Sequence, residues 1–124
     1  MPNRPLLDAA AISEPALAAM ETYHADLVRH VAETVRREPV VVIGMMHYPS
    51  VGKARKALDA AGIKHTYLEY GSYFNGWRPR LAIKLWSGWP TYPQVFVKGV
   101  LIGGGNETRT ALADGTLQRR IAAS

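Results

Sequence analysis

Residues 89–106, WPTYPQVFVKGVLIGGGN, constrain the fold more than any other stretch of the chain. An alternating run, Gln94 to Val97, and a second short apolar run, Val100 to Ile102, are separated only by Lys98 and Gly99. A two-residue connection between such runs predicts a tight antiparallel hairpin. A Thr91-Tyr92-Pro93 turn leads into the hairpin. Gly103-Gly104-Gly105-Asn106 follows it as a glycine loop opening a helix, with Asn106 placed to cap that helix.

The rest of the chain can be read outward from this hairpin. Residues 1–12 carry two prolines and no clear period, which predicts a loose arm. Ser13 is a good N-cap, with Glu14 and Pro15 behind it in the first turn. Leu17, Met20, His24, Leu27, Val28, Val31 and Val35 then recur at steps of three and four, marking one face of a long amphipathic helix over residues 13–38. Pro39 stops it, and Arg36 and Arg37 suit the negative end of its dipole. Its apolar stripe packs on the domain or forms a dimer contact.

Val40 to Ile43 is a continuous β-branched run, too short for a helix, and predicts a buried central strand. A helix from about Ser50 to Ala61 follows a loop, and Gly62 suits its C-terminal stop. A second strand is expected within Lys64–Tyr70 and a helix over Pro79–Trp86. After the hairpin, one helix reaches about Ala113, and Leu117 to Ile121 forms a last short one. A β-α-β unit followed by a hairpin implies an α/β domain, a mixed four-stranded sheet with helices on both faces.

The segment Trp89–Gly104 resembles the WPT-x-PQ-x-F-x-x-G-x-x-x-GG signature of the glutaredoxin family, and the resemblance extends from about Val40 to Ile121. It implies a thioredoxin-like fold for residues 39–124, with the leading helix as an addition also common in single-cysteine members. The family works through a cysteine at the start of the helix after the first strand. Counting back from Leu58 places that motif at Tyr48-Pro49-Ser50-Val51, so Tyr48 and Val51 stand where the two cysteines are expected. The chain has no cysteine at all.

That absence removes the family's chemistry. A cysteine at a helix N-terminus is a ready thiolate because the dipole lowers its pKa. A tyrosine has a reference pKa of about 10 and forms no disulfide. Single-cysteine members hold a [2Fe–2S] cluster between cysteines and glutathione, and this chain offers no such ligand.

The glutathione groove implied by the resemblance is only partly present. Thr91, Tyr92 and Pro93 stand at the family's threonine–x–cis-proline turn, where the backbone of Tyr92 would pair with an extended peptide. Gly104, Gly105 and Asn106 stand at its Gly-x-Asp loop, where helix N–H groups receive a carboxylate. Asn106 lacks the usual negative charge. Arg80 stands where many members hold the glycyl carboxylate, an Arg fork being suited to that task. Met45 replaces the family's lysine. Tyr48 either fills the sulfur's space or gives the groove an aromatic wall.

These features predict a redox-inactive binding module for glutathione or an extended peptide. The alternative is a structural or interaction protein with a closed groove, acting through its leading helix, as a monomer or homodimer. A non-thiol enzyme built on His47 and Tyr48 ranks below both, because no nucleophile–base–orienter set is visible. No cofactor is expected beyond glutathione as a ligand, and no metal: His24 and His30 are six apart and His65 is alone. The net charge of +5 comes from scattered basic pairs rather than one stripe, which argues against nucleic acid. No apolar run approaches the roughly 18 residues of a membrane span. Asp8 and Glu14 interrupt any signal-like run, so a cytoplasmic protein is expected.

Overall fold

The computed structural model describes residues 4–123. After a single 3-10 turn, Ala9–Ala11, the element order is α1 (Glu14–Thr22), α2 (Ala25–Arg37), β1 (Val40–Gly44), α3 (Pro49–Ala60), β2 (Thr66–Glu69), α4 (Trp77–Ser87), β3 (Gln94–Val97), β4 (Val100–Gly103), α5 (Gly105–Ala113) and α6 (Thr116–Ala122). The four strands form one sheet in the order β2-β1-β3-β4. β1 pairs with β2 in parallel and with β3 antiparallel, and β3 pairs with β4 antiparallel. This is the thioredoxin-like arrangement expected.

The strand sequence explains the layering. Val40 to Gly44 is buried at every position, as a central strand covered on both faces must be. Alternate residues point opposite ways. Val41 and Ile43 join Val31 and Val35 of α2, Ile83 of α4 and Phe96 of β3 in one cluster. Val40 and Val42 join Leu58 of α3, Leu117 of α6, Val95 and Val97 in the other. Each fully buried Leu or Ile here contributes about 1.5–3 kcal/mol relative to exposure. The hairpin turns at Lys98 and Gly99, whose φ angles are 52° and 78°. Positive φ at both central residues is what a type I′ turn requires.

Two close approaches set the start of α3. A Cβ on Gly44 would lie 2.6 Å from Cγ1 of Val51 and 3.1 Å from Cε1 of Tyr67. Glycine at the end of β1 therefore lets the first turn of α3 sit directly on the strand. Val51 is 3% exposed and belongs to the core.

The single helix expected over residues 13–38 is two helices. Tyr23 is extended and His24 is left-handed, with φ 48°. Thr22 Oγ1 folds back to donate to the carbonyl of Ala18 at 3.0 Å. α2 docks on the domain through Val31, Thr34 and Val35. α1 buries no residue, and His24 is exposed rather than part of the apolar face. Leu17 and Met20 do not extend the buried stripe of α2, because the left-handed residue turns α1 out of line with it.

Candidate functional site

The N-termini of α3 and α5 come together at one end of the sheet. A Cβ on Gly105 would lie 3.6 Å from the carbonyl oxygen of Ser50. Between these helix starts and the turn before β3 lies a groove of roughly 450 Å³. Tyr48, Ser50 and Lys53 line one side, Trp89, Thr91, Tyr92 and Pro93 the floor, and Gly104, Gly105, Asn106, Glu107 and Arg109 the other side.

The floor is set by hydrogen bonds from below. The Tyr92–Pro93 peptide is cis. The Tyr92 side chain points inward, 5% exposed, and its hydroxyl donates to the carbonyl of Arg80 at 2.6 Å. Burial pushes the pKa of this phenol up from its usual range. Gln94, fully buried, donates through Nε2 to the carbonyl of Trp89 at 3.0 Å, while Ser87 Oγ accepts from the Trp89 N–H at 3.1 Å. These bonds leave upper surfaces free. Among the described residues, neither backbone group of Tyr92 has a hydrogen-bond partner. The buried indole N–H of Trp89 has no acceptor either. It lies over Gly104, where a Cβ would stand 3.4 Å from Nε1.

The α5 side differs in detail from expectation. Gly104, not Asn106, is the N-cap, and its N–H donates to Oε1 of Glu107 at 3.0 Å, half of a capping box. Asn106 is the second residue of α5, and its Oδ1 accepts from Arg109. The remaining first-turn N–H groups of α5 have no intrahelical partner, as at any helix start. They carry partial positive charge toward the groove.

Tyr48 forms a wall and leaves the groove open. It is the N-cap of α3, makes no side-chain cap bond and is half-buried. Its ring packs against Tyr73, with centroids 5.8 Å apart. Pro49 takes the first position of α3. Val51, the other degenerate position, faces Gly44 and the core and does not line the groove. His47 is exposed, has φ 59° and makes no side-chain hydrogen bond among the described residues, so no base and orienter pair with Tyr48 is assembled.

Arg80, expected to hold a ligand carboxylate, lies away from the groove. It is 8% exposed and does not line the groove. Its Nη1 donates to the carbonyls of Tyr70 at 2.9 Å and Asn75 at 2.8 Å. The guanidinium sits beneath the two left-handed glycines Gly71 and Gly76, where a Cβ on Gly71 would meet Nη1 at 2.8 Å. Arg80 therefore fastens the loop between β2 and α4. The cations at the groove are instead Lys53 and Arg109, which sequence reasoning passed over. A spacing signal existed: Lys53 is three residues after Ser50 and Arg109 three after Asn106. Such pairs share a helix face, and side chains lean toward the N-terminus.

Among the described residues, no group of three or more metal-ligating side chains lies together, and no helix is long and apolar enough to cross a membrane.

No family model matches the sequence. Comparison with known proteins nonetheless finds clear relatives. A glutaredoxin-like protein from Dictyostelium discoideum is 49% identical over 98 residues, covering 79% of this chain and 80% of that one. A solved oxidised glutaredoxin 2 from Chlamydomonas reinhardtii superposes with a TM-score of 0.69 at 26% identity, over 79% of this chain and 92% of that one. A buckwheat glutaredoxin, solved in complex with glutathione, gives 0.72 at 24% identity, over 82% and 93% of the two chains. With no sulfur nucleophile at Tyr48 or anywhere else, the family's thiol–disulfide exchange is closed to this chain. The chain belongs to the glutaredoxin family, as a member that keeps the fold and lacks the cysteine.

Proposed function

We propose that the groove binds glutathione, or an extended peptide of like shape, without thiol chemistry. The observation that carries this reading is the unpaired backbone N–H and C=O of Tyr92, in the cis-proline turn that lines the groove. An extended backbone pairs with these groups as an added strand does. Thr91, Pro93, Gly104, Gly105 and Asn106 complete the contact surface in this reading. Arg80 acts from beneath by holding Tyr92, while Lys53 and Arg109 meet the ligand's carboxylates. The glutathione complex of the buckwheat relative supports the ligand class.

The test is a titration of isotope-labelled protein with reduced glutathione, followed by amide and indole NMR shifts. Shifts concentrated at Tyr92, Gly104, Gly105, Asn106 and the Trp89 indole, and weakened by Arg109→Ala, are expected. No localised shift at about 10 mM glutathione, ten times a ~1 mM dissociation constant, would overturn the reading.

A further inference from the structure

We propose that the face formed by α1 and α4 is a two-fold interface with a second copy of this chain. The proposal does not rest on the groove reading. α1 has nine residues and buries none of them. Isolated helices shorter than about 12–15 residues are marginal in water, and helices in proteins are held mainly by packing an apolar face. Within one chain α1 has no such packing: Leu17 is 40% exposed and Met20 60%. Facing Met20 across an apolar groove of roughly 750 Å³ are Leu81, Leu85 and Trp86 of α4. These are 36%, 69% and 37% exposed.

Charge selects the occupant. Every charged residue of α1 is acidic, Glu14 and Glu21. Every charged residue of α4 is basic, with Arg78 and Lys84 outside the buried Arg80. A surface with an acidic apolar helix on one flank and a basic apolar helix on the other is complementary to itself under a two-fold rotation. α1 of each copy then lies on α4 of its partner, as an isologous contact requires. A standard interface buries about 800 Å² per partner. That is about a tenth of this chain's 8134 Å².

Sedimentation velocity on the full chain tests this, from about 1 µM to about 300 µM, the range of weak to moderate association. The expected species at the upper end has twice the mass of the 13.6 kDa chain. Met20→Glu and Leu85→Glu, both at exposed positions, are each expected to weaken association about tenfold, as loss of a central apolar anchor does. Two charge-reversed chains sharpen the test. Glu14→Lys with Glu21→Lys makes both flanks basic, and Arg78→Glu with Lys84→Glu makes both acidic. Each is expected to be monomeric alone, and a 1:1 mixture to dimerise. Far-UV circular dichroism confirms that each variant is folded, and Arg78→Glu alone substitutes if the double change on α4 is not. A monomeric wild type at about 300 µM would overturn the proposal. So would a dimer indifferent to Met20→Glu and Leu85→Glu, or folded reversed chains that fail to pair when mixed.

Discussion

The two walls of the groove are made in different ways. The wall from the Tyr92 turn through β4 into α5 is built of buried groups whose identity the fold needs. Tyr92 is anchored through its hydroxyl, Gln94 is fully buried, and Gly103 has φ 130°. The opposite wall is the start of α3. There Tyr48 is half-buried and caps nothing with its side chain. The first wall is a structural member, whereas in the second Tyr48 packs only half-buried on the edge of the core. This is why a chain can lose the family's cysteine and keep the family's fold. The nucleophile stood where packing makes few demands.

Gly103→Ala is expected to be the most damaging change. The new Cβ would meet Cγ of Glu107 at 2.7 Å, at a φ that side chains rarely adopt. Strain and displacement of the Glu107 cap together predict a loss of about 3 kcal/mol, measurable by urea denaturation. A midpoint within error of the wild type would break the comparison at its stronger end.

Alkaline pH should act on three buried or half-buried phenols, of which Tyr92 belongs to this wall and Tyr67 and Tyr70 to β2 and its end. The phenols of Tyr67, pushed up to about 12, and of Tyr70 and Tyr92 are raised first of all by burial. In the unfolded chain they ionise near 10. Above that pH the unfolded state holds fewer protons than the native one, so stability falls as pH rises. The loss is absent below about pH 9 and grows between pH 10 and 12. Melting temperatures across this range check it, and Tyr92→Phe should flatten the slope.

Tyr92→Phe itself is expected to cost about 1–2 kcal/mol through the lost hydrogen bond to the Arg80 carbonyl. The smallest effect should come from the other wall. Tyr48→Ala is expected to cost about 1 kcal/mol, since a half-buried ring on the edge of the core is lost but no cap bond and no full burial. Tyr48→Cys sharpens the comparison further. It should fold equally well, and its thiol should titrate below the free value of about 8.5 at the α3 N-terminus, read by the pH dependence of alkylation. A substantial destabilisation by either change would mean that both walls are structural.

The elements of the domain could be read from local pattern alone. The β-branched run of β1, the Lys98-Gly99 turn and the spacing of Val31 and Val35 each record a contact within or next to their own segment. What escaped depends on longer-range geometry. The break at His24 carries neither glycine nor proline, so nothing local announces it. Arg80 looked like a ligand contact because its place in the chain suits one. Only the return of the 71–76 loop shows that its partners are main-chain carbonyls. Asn106 is a reasonable cap by type, but the cap is Gly104 and the helix starts two residues earlier than a cap at Asn106 would give, at Gly105, because Glu107 reaches back to Gly104. Val51 stands at the degenerate motif, and the bare Gly44 beneath it lets its side chain enter the core, a contact the local sequence does not show.

The buried guanidinium of Arg80 ties distant parts of the molecule into one piece. Its side chain binds the main chain at Tyr70 and Asn75, and its own carbonyl receives the Tyr92 hydroxyl. The loop so fastened carries Tyr73 against Tyr48 and holds out Phe74, 96% exposed. The base of the groove and its aromatic lip thus share a buried keystone that does not line the groove. Whatever shape the groove presents is inherited from beneath, and a mutational search confined to its visible surface would miss the residue that sets it.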